Sequence, residues 1–438
     1  MVEEILDSVQ KYLHRYKWEI FIEERETLSV YSKELKVEKI SKAKDVGFCV
    51  RVEKDKKVGF AYGTVLSPEG IKNTIKMALD TSIVSDEGEL LLQTPKPPGG
   101  EEYFDEFSFK ELPQEAKIQK AIDLEETAYR LDSRVKGVRD ANFSETAVRK
   151  ILLNSEGLNI TQRGTVYTGS IGILAEDKKD SQISWGYTAS RYLEDLDIEK
   201  MVKETVYKAT SLLGARPIKT QKLPVLFPSY AMAEMLSQFF PMFSGEFYIK
   251  GKAVLKEFLG KRLFPDYLSI IDSGVLKKGV GSFPYDDEGT PSQETVIVGN
   301  GTFLNFLHNL YTGKYSNRKS TGNGKRTFKT TPQVGYTNLF IDKTHIDINK
   351  ELTNKTYFYV FDLIGLHTSD VVTGDFSIGA TGILFVRGEP VQGVKEVTVA
   401  GNFIEVLKNI EIIGNDLTFY GSVGSPSVLV KELMIGGY

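Results

Sequence analysis

Residues 46–63 read VGFCVRVEKDKKVGFAYG and carry a clear secondary-structure pattern. They contain two apolar runs that alternate with polar or small residues, and the charged run EKDKK separates them. Alternation with a period of two is typical of a half-buried strand, and a short polar break between two such runs favours a hairpin. The sequence therefore predicts antiparallel sheet at residues 46–63.

Helical patterns flank further strands on both sides of this hairpin. Met1 to about Lys17 has apolar residues at helical spacing, and Ser67-Pro68 begins a second helix, because serine caps and proline suits the first turn. After a Pro/Gly-rich break near 93–106, helices over 115–132 and 196–213 enclose a second group of strands. The pattern predicts an α+β fold class with internally repeated helix and antiparallel-sheet units.

The best domain boundary is LLGARPIKTQKLP at 212–224. Beyond it the chain is rich in glycine and in strand patterns, with one helix from Ser229 to Phe240. A hairpin is predicted at 295–309, where Asn-Gly readily takes the positive φ angles of a tight turn. We therefore expect an N-terminal α+β domain over residues 1–217 and a β-rich C-terminal domain over residues 218–438.

The composition is that of a soluble globular protein. The chain has 438 residues, 41% hydrophobic and 26% charged, and its net charge of -4 gives no bulk attraction for nucleic acid or anionic lipid. A single cysteine, Cys49, excludes an internal disulfide and an all-cysteine metal site. We find no signal-peptide or transit-peptide pattern and no apolar run long enough for a membrane span. We therefore expect a cytoplasmic location.

The histidines and the segment HTSDVVTGDFSIG (367–379) are the first candidates for a site. The chain has four histidines, which are far apart in sequence: His14, His308, His345 and His367. No His-Glu-x-x-His zinc motif therefore exists. His308, His367, Asp370 and Asp375 could converge as a metal or acid/base site. The favoured interpretation is that the aspartates cap turns and that His308 belongs to a strand or the core.

Two charged segments are further candidates. YDDEGTP at 285–291 has three carboxylates in succession, beginning with Asp286 and Asp287, and its glycine and proline favour a turn. A peptide-binding loop is the alternative.

Residues 313–332 contain six cations and no carboxylate, so they form either a solvated loop or a binding surface for an acidic peptide, a partner or nucleic acid. The cations are Lys314, Arg318, Lys319, Lys325, Arg326 and Lys329.

Six ordered motifs in the second half resemble the TldD/PmbA family, which is described as metallopeptidases and as modulators of DNA gyrase. They are LGARP (213–217), FPYDDEGTPS (283–292), STGNG (320–324), TGDFSIGATG (373–382), EVTVAGN (396–402) and IGNDL (413–417). The hairpin at 46–63 is a weaker match in the first half. The resemblance thus covers most of the chain. It implies that residues 367–379 shape the common architecture of the family or a peptide groove. Within this segment, Asp375 would accept hydrogen bonds from backbone donors in its turn.

The resemblance also implies where a zinc site would lie. In the zinc-bearing branch, the helix that opens the C-terminal domain carries His-Glu-x-x-x-His, and a cysteine near the C-terminus completes the site. The matching helix here, SYAMAEMLSQFF (229–240), contains Glu234 and no histidine. The matching segment TFYGSVGSPSVLV (418–430) contains no cysteine. In lacking these residues, the chain resembles the non-metal-binding branch of the family, called PmbA or TldE.

This resemblance implies a subunit with no catalytic, cofactor-binding or metal-binding residues of its own. Such a subunit would position unfolded or extended peptides for a TldD-like partner in a hetero-oligomer, and zinc would belong to the partner. The isolated chain would be a monomer or a homodimer. Two alternatives stay open: an independently active metal-dependent hydrolase built on His308, His367 and Asp375, and a gyrase- or nucleic-acid-associated modulator that uses residues 313–332.

Overall fold

The structure is a computed structural model that describes Val9 and residues 11–438. The predicted helix from Met1 to about Lys17 lies largely outside the described residues. Within them, residues 11–13 are helical and the first strand begins at Lys17. No helix among the described residues is long and apolar enough to cross a membrane.

One antiparallel sheet organises the first half of the chain. Its strands are β1 Lys17–Lys33, β2 Lys36–Lys54, β3 Lys57–Gly63, β4 Val135–Asn154, β5 Asn159–Glu176 and β6 Ser181–Ser190. Their order is β3-β2-β1-β4-β5-β6. The predicted hairpin at 46–63 is confirmed: β2 and β3 are joined at Asp55 and Lys56, whose φ angles of 51° and 59° suit a tight hairpin turn.

The helices of this half pack on one face of the sheet. They are α1 Pro68–Val84, α2 Glu106–Lys110, α3 Gln114–Leu131 and α4 Ile198–Ser211. Ser67 caps α1 as predicted, because its side-chain oxygen accepts a hydrogen bond from the Gly70 amide at 3.2 Å. The predicted repetition appears as two three-stranded units that share one sheet, since β1 pairs with β4 from Glu19↔Asn154 to Ser32↔Ala141. This pairing covers an edge that each unit would otherwise expose.

The second half is β-rich. Its strands are β7 Gln221–Phe227, β8 Ile270–Ser273, β9 Glu294–Gly299, β10 Thr302–Phe303, β11 Gly324–Lys325, β12 Gln333–Val334, β13 Leu339–Ile341, β14 Tyr357–Ile364, β15 Asp375–Val386, β16 Glu389–Asn402, β17 Ile410–Ile413, β18 Thr418–Tyr420, β19 Val423–Ser425 and β20 Val428–Gly436. Its helices are α5 Ser229–Gln238, α6 Gly245–Ile249, α7 Leu310–Tyr315, α8 Ile348–Glu351 and α9 Phe403–Lys408. Together with the first half, this arrangement confirms the predicted α+β fold class.

These strands form two larger sheets and a short ribbon. One sheet has the order β10-β9-β8-β13-β19-β18, and the other has the order β16-β15-β14-β7-β20-β17. A further pairing of β16 with β20 closes five strands of the second sheet into a ring. The predicted turn of the hairpin at 295–309 is confirmed, with φ angles of 47° at Asn300 and 78° at Gly301. The strand β10 ends early, because Phe306 and Leu307 pack into the core instead of continuing it.

The helix α5 lies between the two sheets of the second half. It packs against β18 and β19 on one side and against β7 and β14 on the other. Its apolar side chains join the largest core: Ala231, Met232, Ala233, Met235 and Leu236. The sheet face of the first half that lies opposite its helices packs against residues 285–328 through Phe21, Cys49 and Leu152. The two halves therefore meet at a partly apolar interface that surrounds the charged groups described below.

Candidate functional site

A cleft lined by tyrosines lies at the helix that the family resemblance associates with zinc. The helix α5 projects Tyr230, Glu234 and Ser237 from one face into a cavity of 370 Å³, because residues at i, i+4 and i+7 share a helix face. Tyr187 of β6, Tyr336 and Tyr420 form the facing walls. We call this cavity the tyrosine cleft.

Contacts from three other elements fix the aromatic walls of the tyrosine cleft. The rings of Tyr230 and Tyr420 meet edge to face, with 5.1 Å between centroids. The Tyr336 hydroxyl lies 3.1 Å from the Ser237 Oγ, within hydrogen-bond distance. Lys208 of α4 places its Nζ atom 4.6 Å from the Tyr230 ring centroid. Contacts from α4, β18 and the loop before β13 thus hold the tyrosine walls against α5.

Burial shifts Glu234, Tyr230 and Tyr420 in the tyrosine cleft toward their protonated forms. Burial raises the pKa of Glu234, and a hydrogen bond from the Tyr230 hydroxyl opposes that shift. Burial also raises the pKa of Tyr230 and of Tyr420, so both hydroxyls remain protonated at neutral pH. A protonated tyrosine donates and accepts hydrogen bonds while its ring offers apolar surface. Such walls suit the binding of peptide groups.

The tyrosine cleft adjoins a second cavity of 360 Å³ between two sheet edges. The strand β6 is the last strand of its sheet and β18 is the last strand of another. Among the described residues, neither has a second neighbouring strand, so each offers free backbone donors and acceptors. The two cavities share Tyr187, Val280, Tyr420 and Gly421. An extended peptide can pair with either edge while its side chains contact the tyrosines.

Arg191 holds the loop that separates the two sheet edges. Its side chain is 1% exposed, and its Nε atom donates to the Gly279 carbonyl at 3.1 Å. Its Nη1 atom donates to the Thr165 carbonyl at 2.8 Å and its Nη2 atom to the Ser282 carbonyl at 2.9 Å. Burial lowers the pKa of Arg191 to about 10, and the carbonyl dipoles stabilise the remaining charge. Arg191 therefore attaches the wall residue Val280 to the first sheet.

The donors in the tyrosine cleft do not fit a zinc ion. A catalytic zinc takes about three protein ligands from histidine, cysteine or carboxylate side chains. The helix α5 offers Glu234 alone, and the facing residues 418–426 offer hydroxyls. Across Val9 and residues 11–438, no three histidine, cysteine or acidic side chains gather in an arrangement that could hold a metal ion.

The structure does not bring His308, His367 and Asp375 together. His308 is buried, with 5% of its surface exposed, and it lines a separate cavity that neither of the other two reaches. His367 is exposed on the short 3-10 turn Leu366–Thr368. The hypothetical metal or acid/base site built from these residues is therefore not assembled within the described residues.

Asp370 caps the turn at 370–375 as expected, whereas Asp375 does not. Asp370 accepts hydrogen bonds from the backbone amides of Val372 at 2.8 Å and Thr373 at 3.2 Å. Asp375 accepts from the side chains of Thr373 at 2.9 Å and Asn402 at 2.8 Å. The expectation for Asp375 was wrong, because β15 begins at this residue and its carboxylate faces the neighbouring strand end.

The carboxylates of YDDEGTP belong to a buried charge layer between the two halves. This layer consists of Glu19, Lys150, Asp286, Asp287, Glu288 and Arg326. The Lys150 Nζ atom lies 2.7 Å from the Asp287 carboxylate. The Arg326 Nη1 atom lies 2.6 Å from the Glu19 carboxylate, and the Arg326 side chain is 0% exposed. The segment forms the predicted turn, with a φ of 82° at Gly289, but its carboxylates are not available to a peptide.

Asp286 and Glu288 form a carboxyl pair within the charge layer. Asp286 accepts hydrogen bonds from the backbone amides of Glu288, Thr290 and Gly324, at 2.9, 2.8 and 2.9 Å. A Cβ atom at Gly324 would lie 2.7 Å from a Glu288 oxygen and 3.0 Å from an Asp286 oxygen, so both carboxyls face this glycine. Burial raises the pKa of Glu288, and the Asp286 charge raises it further. Glu288 therefore retains a proton more readily than its neighbour.

The six cations of residues 313–332 do not form one basic surface. Lys314 pairs with Glu89, and Arg326 is buried in the charge layer. Arg318 and Lys319 line the cavity of His308, and Lys329 is exposed. The segment is therefore neither one solvated loop nor one continuous basic binding surface. The sequence placed the cations near one another, but their side chains reach different partners.

The cleft tyrosines carry little signal in the sequence. Tyr230, Glu234 and Ser237 form a polar stripe on an otherwise buried helix, which is a usable indication of a cavity. Tyr187 and Tyr336 come from distant segments, so no local pattern connects them with α5. Their common location depends on the packing of the first sheet against the second half.

Comparison with known proteins agrees with this fold. Three family models describe successive parts of the chain as PmbA/TldA metallopeptidase domains: domain 1 at residues 18–82, the central domain at 107–213 and the C-terminal domain at 220–437. The matches define a class of metallopeptidase-related proteins. The chain belongs to the PmbA/TldD family.

Relatives and solved structures match the whole length of the chain. Metalloprotease PmbA of Escherichia coli O157:H7 is 27% identical, and the match covers 96% of this chain and 92% of that protein. A crystal structure from Thermotoga maritima, of a protein proposed to modulate a DNA gyrase, has a TM-score of 0.89, 27% identity and full coverage of both chains. The TldE structure from Thermococcus kodakarensis has a TM-score of 0.88, 23% identity and full coverage of both chains, which shows a shared fold.

Proposed function

We propose that this chain is the non-metal-binding subunit of a PmbA/TldD-type metalloprotease. In this proposal it positions unfolded or extended peptides for a zinc-bearing, TldD-like partner. The observation that carries the proposal is the donor set of the tyrosine cleft. The helix α5 offers Glu234 where the resemblance expects His-Glu-x-x-x-His, and residues 418–426 contain no cysteine. Zinc would therefore belong to the partner.

The shape of the cleft supports an extended peptide as the bound species. Unfolded segments expose backbone donors and acceptors that a free sheet edge can pair with. The edges of β6 and β18 border the cavity that adjoins the tyrosine cleft. Aromatic walls with neutral hydroxyls accept many side chains, because they combine apolar surface with hydrogen bonding. This mode of binding requires no reacting group in the chain itself.

Reconstitution with a zinc-bearing TldD-like subunit tests whether this chain positions the peptide while the partner supplies the zinc. Cleavage of an unstructured peptide should be about tenfold faster in the mixture than with the zinc subunit alone, a difference of about 1.4 kcal/mol in the barrier. The reason is that the peptide is held at the second subunit while the metal acts. Equal cleavage by the zinc subunit alone would contradict the proposal.

Substitutions in the cleft test peptide positioning directly. Tyr187→Ala and Tyr420→Ala should each weaken binding of a fluorescent unstructured peptide about fivefold, through loss of aromatic contact and a hydrogen bond. Tyr62→Ala is the matched control, because Tyr62 is 49% exposed on β3 at the opposite edge of the first sheet. If all three variants bind the peptide equally well, peptides do not bind in the tyrosine cleft.

Elemental analysis tests the assignment of zinc to the partner. After dialysis against a weak chelator, the purified chain should retain less than about a tenth of an equivalent of any transition metal. About one equivalent would instead favour an independently active metal-dependent hydrolase. His367→Ala and His308→Gln would then locate the metal by its loss.

A further inference from the structure

A small cavity beside His308 is separate from the tyrosine cleft. Its volume is 210 Å³, and it shares no lining residue with the tyrosine cleft. We call it the His308 cavity, and its principal residues are Tyr248, Phe306, His308, Ser316, Arg318 and Lys319. The peptide-positioning role proposed above makes no use of this cavity.

The imidazole of His308 is held in one orientation. Its Nδ1 atom lies 3.2 Å from the Thr312 Oγ1 atom, which also accepts a hydrogen bond from the Asn309 amide at 3.2 Å. A Cβ atom at Gly245 would lie 2.2 Å from Nδ1, so the ring packs directly against this glycine. Thr312 and Gly245 therefore fix the orientation of the His308 imidazole at the wall of the cavity.

The charge of the His308 cavity is positive. Arg318 and Lys319 line it, and among the described residues no carboxylate does. The pKa of His308 is lowered to about 4 by burial and by the nearby Arg318 charge, so the imidazole is neutral at neutral pH. By contrast, Lys314 in the same segment pairs with Glu89. The two cavity cations are therefore available to an anion from outside the chain.

The His308 cavity also contains a buried hydroxyl and an aromatic wall. The Ser316 Oγ atom is buried and has no hydrogen-bond partner among the described residues. The rings of Tyr248 and Phe306 stand 5.2 Å apart and form an apolar wall beside it. The Arg318 amide donates to the Gly313 carbonyl at 2.8 Å, which attaches the cationic loop to α7. The cavity thus has a cationic end on a backbone-anchored loop and an aromatic wall.

We propose that the His308 cavity binds a carboxylate that carries an apolar substituent, such as the C-terminal residue of a peptide. Arg318 and Lys319 would bind the carboxylate beside the His308 imidazole, with the Ser316 hydroxyl as a further donor. Tyr248 and Phe306 would contact the apolar part. A volume of 210 Å³ suits a ligand of about one residue, since drug-sized molecules need about 300 Å³ or more.

Titration with small probes tests the proposal. N-acetylphenylalanine should bind about tenfold more tightly than its amide, because charged hydrogen bonds are lost with the carboxylate. Arg318→Gln should weaken its binding by about the same factor. Lys329→Gln is the matched control, because Lys329 is exposed in the same segment and does not line the cavity. Equal binding of the amide, tighter binding of inorganic phosphate or no effect of Arg318→Gln would overturn the proposal.

A second readout locates the probe, and a third comparison identifies the source of the carboxylate. An anion beside the imidazole favours its protonated form, so N-acetylphenylalanine should raise the pKa of His308 in NMR titrations. No change in that pKa would overturn the assigned site. Tighter binding of a hexapeptide that ends in phenylalanine than of N-acetylphenylalanine would support a peptide C-terminus as the ligand. Equal affinities would support a free small carboxylate and leave the site chemistry as proposed.

Discussion

The buried charge layer and the tyrosine cleft both contain titratable side chains at the junction of the two halves, but they are organised in opposite ways. In the layer, Asp287 and Glu19 have cations within 2.7 Å. In the cleft, Glu234 faces tyrosine hydroxyls and a cavity. Charges that are paired in the interior maintain a structure, whereas polar groups on a cavity wall remain free for a ligand. The difference indicates which acidic residues to test for stability and which for binding.

The two regions are mechanically connected. Arg326 and Asp287 hold the second half against the first sheet, and Arg191 attaches the loop 279–282 to the same sheet. The cleft walls Tyr187 and Val280 come from opposite sides of that junction. The charge layer and Arg191 therefore both join the two halves of the chain, from which the walls of the cleft come.

The largest effect should follow from Arg326→Met in the charge layer. The substitution removes the nearer cation of Glu19 and leaves Arg51 at 3.2 Å as its remaining partner. Breaking a buried ion pair is costly, so the free energy of unfolding should fall by about 3 kcal/mol in urea titrations. Lys329→Met, at an exposed position nearby, is the control and should not change the urea midpoint. A loss below about 1 kcal/mol would show that this pair contributes no more than an ordinary surface ion pair. The proposed difference between the charge layer and the tyrosine cleft would then be wrong.

An intermediate effect should appear as a pH dependence of stability. The pKa of Glu288 is raised in the folded chain by burial and by Asp286. Its contribution is therefore complete below the ordinary carboxyl pKa of about 4.3 and is lost as the pH rises through the raised value. The free energy of unfolding should fall between about pH 5 and pH 8, and Glu288→Gln should reduce that slope. Identical slopes in both proteins would show that Glu288 does not hold the proton.

The smallest effect on stability should come from Glu234→Gln in the tyrosine cleft. Glu234 is half-buried and its pKa is raised by burial, so ionising it does not stabilise the fold. The free energy of unfolding at neutral pH should change by about 0.5 kcal/mol or less, as measured by urea unfolding. A loss above about 2 kcal/mol would show that this carboxylate is a structural partner like those of the charge layer.

Local features of the fold could be predicted from sequence because their causes lie within a few residues. The hairpin at 46–63, the cap at Ser67 and the Asn300-Gly301 turn depend on side-chain alternation and on φ preferences. The charges of the layer could not be predicted. Asp287 pairs with Lys150, more than a hundred residues away, and an isolated turn sequence does not indicate what will bury it.

The candidate site was predictable only in part. The absence of histidine from 229–240 and the position of Glu234 are properties of the sequence. The proximity of Tyr187 and Tyr420 to that helix, and the separation of His308 from His367 and Asp375, depend on how the sheets pack.

The α+β class, the local turns and caps, and the motifs that mark the PmbA/TldD family follow from the sequence alone. The pairing of some acidic groups and the exposure of others to a cavity depend on the tertiary structure. The physical reason is that periodicity and turn preference act between neighbours along the chain. Burial and electrostatic pairing act between neighbours in space, and those come here from opposite halves of the protein.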